Sequence, residues 1–308
     1  MKLTESVTLP ANLRKVPVMN PSPSNTLVPK TLQHSIFEES GDLATLTLNR
    51  PDVVNCLSLR LSDELVAVFE HVRRSKTIKF LVIKGAGGNF CSGDDLKEMS
   101  LGQWGDSNQY FHRVRYYQWM AYALEELDKI TIAAVDGYAV GGGLELTMCC
   151  DFVIATERAK WGMPEVDWGI TPGWGGTTRM SRFISRRRTK EINMLAAIQP
   201  ARKAVDWGLW NRIVANDGLD AEVATLLTLL RAKSQQTLRQ LKFIINKNVE
   251  TDLYTAQAFE ALSAAWTASV NGWADVPDSD KGEGLNAFRE KTALLDKRRG
   301  LGRDFWTD

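Results

Sequence analysis

The stretch "GYAVGGGLELTMCCD" sets Gly141, Gly142 and Gly143 directly before an apolar run that holds one acid, Glu145. A second acid, Glu165, follows in "KWGMPEVDWGITPGWGGTTR", and an earlier glycine-bearing turn, "GAGGNFCSGDD", ends in Asp94 and Asp95. Each glycine turn follows a buried-strand pattern, so backbone N–H groups collect at strand ends. A helix opening just after the glycines would aim its unpaired N–H groups and positive dipole end at whatever lies beside Gly142. That is a place for a negative oxygen, and two acids nearby could move protons on the same molecule. Read alone, each feature also has a plainer role. The glycines could make a tight turn, Glu145 could compensate a helix end, and Glu165 could be a hydrogen-bonded surface acid. Neither loop carries the GK[ST] of a P-loop or the glycine spacing of a dinucleotide fingerprint, which counts against nucleotide hydrolysis and hydride transfer. His34, His71 and His112 are scattered without metal-like spacing, and Cys91 has no neighbouring base.

The elements that must position these residues are of two kinds. "DLATLTLNRP" alternates as a half-buried strand that Pro51 ends, while "IKFLVIKGAGG", "ITIAAVDG" and "FVIAT" read as buried strands. "LSLRLSDELVAVFEHVRR" has helical spacing with Ser62 as its candidate cap, and residues 107–127 form a long aromatic helix. Beyond about residue 185 helices dominate: "RTKEINMLAA", "ARKAVDWGLW", "AEVATLLTLLRA", "TLRQLKFIINKN", "AQAFEALSAAWTAS" and "EGLNAFREKTALL". The pattern predicts an extended, proline-rich arm over 1–30, an α/β core over 31–200 and a helical region over 201–308, with a polar link at 271–282.

The bulk numbers narrow the partners. With 38 Lys and Arg against 37 Asp and Glu, the net charge of +1 offers no global field for nucleic acid or an anionic membrane, so any anion must be met locally. The four cysteines show no metal clasp or disulfide framework. No apolar stretch would span a bilayer and no secretory signal is visible, so a reducing, cytoplasmic location is expected.

Together, "ATLTLNRPDVVNCLS", "NFCSGDDLKEM", "AAVDGYAVGGGLELTMCCDFVIATERAKWGMPEVDWGITPGWGGTTRM" and "EGLNAFREK" resemble the enoyl-CoA hydratase/isomerase (crotonase) superfamily over about residues 34–296. The resemblance implies a spiral of strand-strand-helix units with a C-terminal helical trimerisation region, assembled as a homotrimer or a dimer of trimers. It implies an acyl-CoA thioester substrate, no metal, and no cofactor apart from the coenzyme A of the substrate. The backbone N–H groups of Asp94 and Gly142 would form the oxyanion hole that holds the thioester oxygen as it becomes an enolate. Coenzyme A would lie along "FCSGDDLK", with the Ser92 and Asp94 backbone at the base and Lys97 near the pyrophosphate, while Gly141 borders the acyl group. Glu145 would activate a water for attack at C3 and Glu165 would exchange the proton at C2. Isomerases and carbon-carbon lyases of the superfamily often keep only the second acid, so the pair tips the expectation towards hydration of a 2,3-double bond.

Several residues depart from that pattern or leave a choice. Val53 and Val54 stand where the family often has a basic residue, with Arg50 nearby. Trp161, Trp168 and Trp174 surround the second glutamate; they serve either core and trimer packing or, for Trp168 and Trp174, a flat wall for an aromatic or cyclic acyl group. The basic "SRFISRRRTK" raises a non-catalytic, RNA-binding alternative, against which stand the net charge and the simpler reading of a solvated helix start.

Overall fold

A computed structural model describes residues 32–269 of the chain. The proposed arm over 1–30, the link at 271–282 and the closing "EGLNAFREK" lie outside the described residues. The strands β1 (Ser35–Ser40), β2 (Leu43–Leu48), β3 (Phe80–Gly85), β4 (Ile130–Val135), β6 (Phe152–Thr156) and β9 (Arg212–Val214) form one sheet in that spatial order. The β1–β2 hairpin is antiparallel and every other pairing is parallel. A smaller sheet joins β5 (Tyr138–Val140), β7 (Lys160–Gly162) and β8 (Gln199–Pro200).

Chain pattern explains the layers. All six residues of β4 and the first four of β3 are buried, as parallel strands covered on both faces require. On one face Leu46, Leu81, Ile83 and Ala133 pack with Leu61, Leu65 and Phe69 of α1 (Leu59–Arg74) and Tyr117 and Met120 of α3 (Ser107–Glu125). On the other, Phe80, Val82, Ile132 and Ile154 meet Val223, Leu226 and Leu230 of α8 (Leu219–Arg231). Strand β9 falls beyond residue 200, so the α/β layer continues past the boundary read from the sequence. Its three residues are too short to show alternation. The cap of α1 also differs from expectation: Ser58 accepts the Leu61 N–H, whereas Ser62 lies inside the helix and donates to the Ser58 carbonyl.

Three further helices lie between β7 and α8: α5 (Met180–Phe183), α6 (Arg186–Leu195) and α7 (Ala201–Asp206). Two more follow α8, namely α9 (Gln235–Asn248) and α10 (Leu253–Ser269). Helix α9 is tied to the sheet by a buried ion pair. Lys242 Nζ lies 2.9 Å from Asp151 Oδ2 and 3.0 Å from the Lys129 carbonyl, and the same carboxylate oxygen accepts the Thr131 N–H and hydroxyl. Replacing Lys242 by methionine would leave Asp151 buried and uncompensated. A loss of about 3–5 kcal/mol of unfolding free energy is therefore expected in urea or guanidinium melts. No helix among the described residues is long and apolar enough to cross a membrane.

Candidate active site

The two glycine turns lie side by side at the ends of β3 and β4. Cys91 bridges Ala139 in parallel: the Cys91 N–H donates to the Tyr138 carbonyl and the Val140 N–H to that of Cys91. A second parallel bridge joins Leu57 to Asp94, through Leu57 N–H to the Gly93 carbonyl and Asp95 N–H to the Leu57 carbonyl. In a parallel bridge of this kind the central residue's own N–H faces away from the partner strand, which here turns the Asp94 N–H away from Leu57.

The short helix α4 (Gly142–Met148) begins where the second turn ends. Its first bond runs from the Glu145 N–H to the Gly141 carbonyl, so the Gly142 N–H precedes the ladder and is one of the helix's unpaired donors. Gly141 turns with φ +53°, a conformation that favours glycine, and a Cβ there would stand 3.1 Å from Glu165 Oε1. A Cβ on Gly93 would lie 3.0 Å from the Gly142 nitrogen, so the two turns touch through glycine.

Both glutamates expected from the sequence line one small cavity, together with the Asp94 side chain. Glu145 is 1% exposed, and its Oε1 accepts from the Trp174 N–H at 3.1 Å and the Gly176 N–H at 2.6 Å. Those two donors come from "TPGWGGTTR", and they fix the carboxyl from the side opposite its own helix. Glu165 opens a single 3₁₀ turn, Glu165–Trp168, and its Oε2 is buried without a hydrogen-bond partner among the described residues. The cavity leaves about 20 Å³ for the centre of a water molecule, enough for about one water.

Burial dominates the electrostatics. It pushes Glu145 up to about 8, opposed by the Gly176 N–H and reinforced by the charges of Glu165 and Asp94. It pushes Glu165 up to about 7. Asp94 rises to about 7 from burial, with the Trp174 indole opposing and Glu165 reinforcing. Three carboxyls around one cavity therefore share protons near neutral pH, so an acid and a base can coexist.

The sign for stability follows from these raised values. The folded state holds protons that the unfolded chain has released above about pH 4.5, so this contribution is fully present at low pH and is lost as pH rises through 7 to 8. His34, whose pKa burial lowers, works the opposite way. The clean readout is therefore a difference: E165Q should gain stability relative to the unmodified protein as pH rises from 5 to 8, by thermal melts at each pH.

The remaining expected residues divide. Trp174 is 2% exposed, lines the cavity and stacks on Tyr117 at 5.5 Å between ring centroids. Trp161 is buried elsewhere, against Trp207 and Trp210. Trp168 is 61% exposed and does not line the cavity. The Ser92 hydroxyl reaches the Val53 carbonyl at 3.4 Å, and Lys97 is exposed on α2 (Leu96–Ser100). Arg50 is committed to Asp95 at 2.9 Å and to the Cys56 carbonyl at 2.7 Å. In the basic stretch 181–190, Ser185 caps α6 and Arg188 covers the Trp207 ring, which fits a solvated helix start. Among the described residues no three or more His, Cys, Asp or Glu side chains are placed so that they could hold a metal ion.

Sequence reasoning missed Trp104, Tyr110 and Tyr117, which form the far wall. Tyr110 and Tyr117 belong to the aromatic helix α3 and Trp104 precedes it, but nothing local showed which face would meet a loop some sixty residues further on.

The chain is similar to known proteins over most of its length. The model of the enoyl-CoA hydratase/isomerase family matches residues 38–295. YngF of Bacillus subtilis is 37% identical over 257 residues, covering 83% of this chain and 94% of that one. Crotonyl-CoA hydratase of Syntrophomonas wolfei is 33% identical over 266 residues, covering 84% and 96%. The crystal structure of enoyl-CoA hydratase from Bacillus anthracis superimposes with a TM-score of 0.76 at 30% identity, covering 84% of this chain and 97% of that one.

Proposed function

Because this chain belongs to the enoyl-CoA hydratase/isomerase family, we propose that it is an enoyl-CoA hydratase that adds water across the 2,3 double bond of a short acyl-CoA thioester. The observation that carries the proposal is the placing of Glu145 and Glu165 on one cavity with room for about one water. In the forward direction Glu145 takes a proton from the water as its oxygen bonds to C3. The electron pair of the double bond moves towards the thioester oxygen, which the Asp94 and Gly142 N–H groups hold as an enolate. The enolate then collapses and C2 takes a proton from Glu165, so one water is added overall. The two backbone donors on Glu145 Oε1 orient its carboxyl in the cavity and oppose the burial that raises its pKa.

Of the tryptophans expected to wall an aromatic acyl group, Trp168 lies off the cavity and only Trp174 lines it. Of the three tryptophans, one is core, one is exposed and one is stacked on Tyr117. We infer coenzyme A binding along residues 90–97 and assembly as a homotrimer or a dimer of trimers. Exposed apolar side chains on α9 and α10, among them Phe243, Ile245, Leu262 and Trp266, support the assembly, which sedimentation measures directly.

The test is purified protein with crotonyl-CoA, following the conjugated absorbance and the product mass. Hydration removes the absorbance and adds one water. An unchanged mass with a moved double bond would make the enzyme an isomerase instead, and no reaction at concentrations where the thioester binds would overturn the proposal.

A further inference from the structure

The cavity that holds the glutamates is lined by more hydrogen-bonding groups than the hydration reaction uses. Buried atoms without a hydrogen-bond partner among the described residues include Asp94 Oδ1, Trp104 Nε1, Tyr117 Oη, Glu165 Oε2 and Trp174 Nε1, and all five residues line this cavity. Trp104 is 4% exposed, Trp174 2% and Tyr117 0%. Two of these groups have a near neighbour. The Trp174 indole stands beside Asp94 and the Tyr117 hydroxyl beside Ser62, each close enough to favour the charged form of the carboxyl or phenol, but neither pair has hydrogen-bond geometry. Trp104 Nε1 has no such neighbour, and the Asp94 carboxyl keeps further acceptor directions beside the indole.

A single water offers four hydrogen-bonding directions, fewer than these groups require, and the reaction itself consumes that water. Buried donors and acceptors left unmatched are costly, and a site built around them discriminates against ligands that cannot match them. The aromatic rings hold these groups in place: Trp104 packs on Tyr110 at 5.1 Å and on Tyr117 at 5.3 Å, and Tyr117 in turn on Trp174.

We propose that the acyl group accepted here carries a small neutral oxygen, a hydroxyl above all, just beyond the reacting double bond, with Trp104 Nε1–H donating to it and Asp94 Oδ1 accepting from it. This rests on the hydratase reading and names its substrate class. A hydroxyl fits because it both donates and accepts. A carboxylate at the same place would face Asp94, Glu145 and Glu165 together. A bulky cationic group would exceed the space and would meet indole and phenol hydrogens at their positive edges. Asp94 thus has two roles, its N–H towards the thioester oxygen and its side chain towards the acyl tip.

The test compares two thioesters of equal shape, 4-hydroxybut-2-enoyl-CoA and pent-2-enoyl-CoA, which differ only by a hydroxyl in place of a methyl. The expected result is at least a tenfold higher kcat/KM for the hydroxylated thioester, with the ratio falling towards one in W104F. A ratio of one or below in the unmodified protein overturns the proposal, as does a ratio that W104F leaves intact. Glutaconyl-CoA supplies the charged arm, and its reacting faster than the hydroxylated thioester also overturns it. Should neither enoyl thioester be hydrated, the hydratase reading fails by itself. Calorimetric binding of 4-hydroxybutanoyl-CoA against pentanoyl-CoA then still reads the polar preference, and should W104F fail to fold, the ratio in the unmodified protein decides alone.

Discussion

E165Q is expected to lower turnover of a 2-enoyl thioester by about 10²–10⁴-fold while thioester affinity stays within a few-fold. Glutamine keeps the volume and the approach of Oε1 to Gly141, and removes only the ability to hold and release a proton. E145Q should cost a similar factor. Its Oε1 still accepts from Trp174 and Gly176, so the loop stays seated, but the amide cannot take a proton from water. The two variants separate in a second measurement. Exchange of the C2 hydrogen of a saturated acyl-CoA into deuterated water should be lost in E165Q and retained in E145Q, because C2 faces only the former acid in the proposed reaction. Combining the substitutions should cost far less than the product of the two factors, since the residues act as a unit. Turnover within tenfold of the unmodified enzyme in both single variants would remove the acid/base assignment.

Gly142→Ala carries the second large effect. An added Cβ would stand 2.4 Å from Trp174 Cζ2 and 3.3 Å from Leu57 Cδ1, so the indole or the turn must move. Trp174 is locked by its stack on Tyr117, and its own N–H holds Glu145, so either movement disturbs the site. Overpacking of this kind costs about 1–3 kcal/mol of stability. Loss of one oxyanion donor typically costs about 10²–10³-fold in kcat. The donor effect is isolated by comparing a saturated acyl-CoA with its thioether analogue, which lacks the carbonyl. The unmodified protein should prefer the thioester, and the variant should prefer it less, because displacing the Gly142 N–H leaves only the Asp94 N–H to meet the carbonyl. A preserved preference would mean that the Gly142 N–H does not meet the carbonyl oxygen.

The legible parts of this protein are those where one physical signal acts over a short span. Buried runs such as "TIAAV" and the helical spacing of α1 and α8 need only local periodicity, and the glycine turns need only that a side chain be absent. The strands β5, β7, β8 and β9 were not legible, because runs of two or three residues carry no alternation. The cap of α1 was placed one turn late because two serines four residues apart look alike, and only the bridge at Leu57 decides where the helix begins. At the site, Glu145 and Glu165 were found by resemblance over a long ungapped stretch, since each alone looks like an ordinary acid. The polar wall was missed because Asp94, Trp104 and Tyr117 come from three segments that only the tertiary fold brings to one cavity.

The parallel bridge between Leu57 and Asp94 has a bearing on how such an enzyme diversifies. Its two ladder bonds belong to the main chain of Leu57, Gly93 and Asp95, so they set the direction of the residue 94 peptide whatever side chain it carries. In the proposed reaction, a single codon change at position 94 would alter the side chain at the acyl tip while the amide held towards the thioester oxygen keeps its direction.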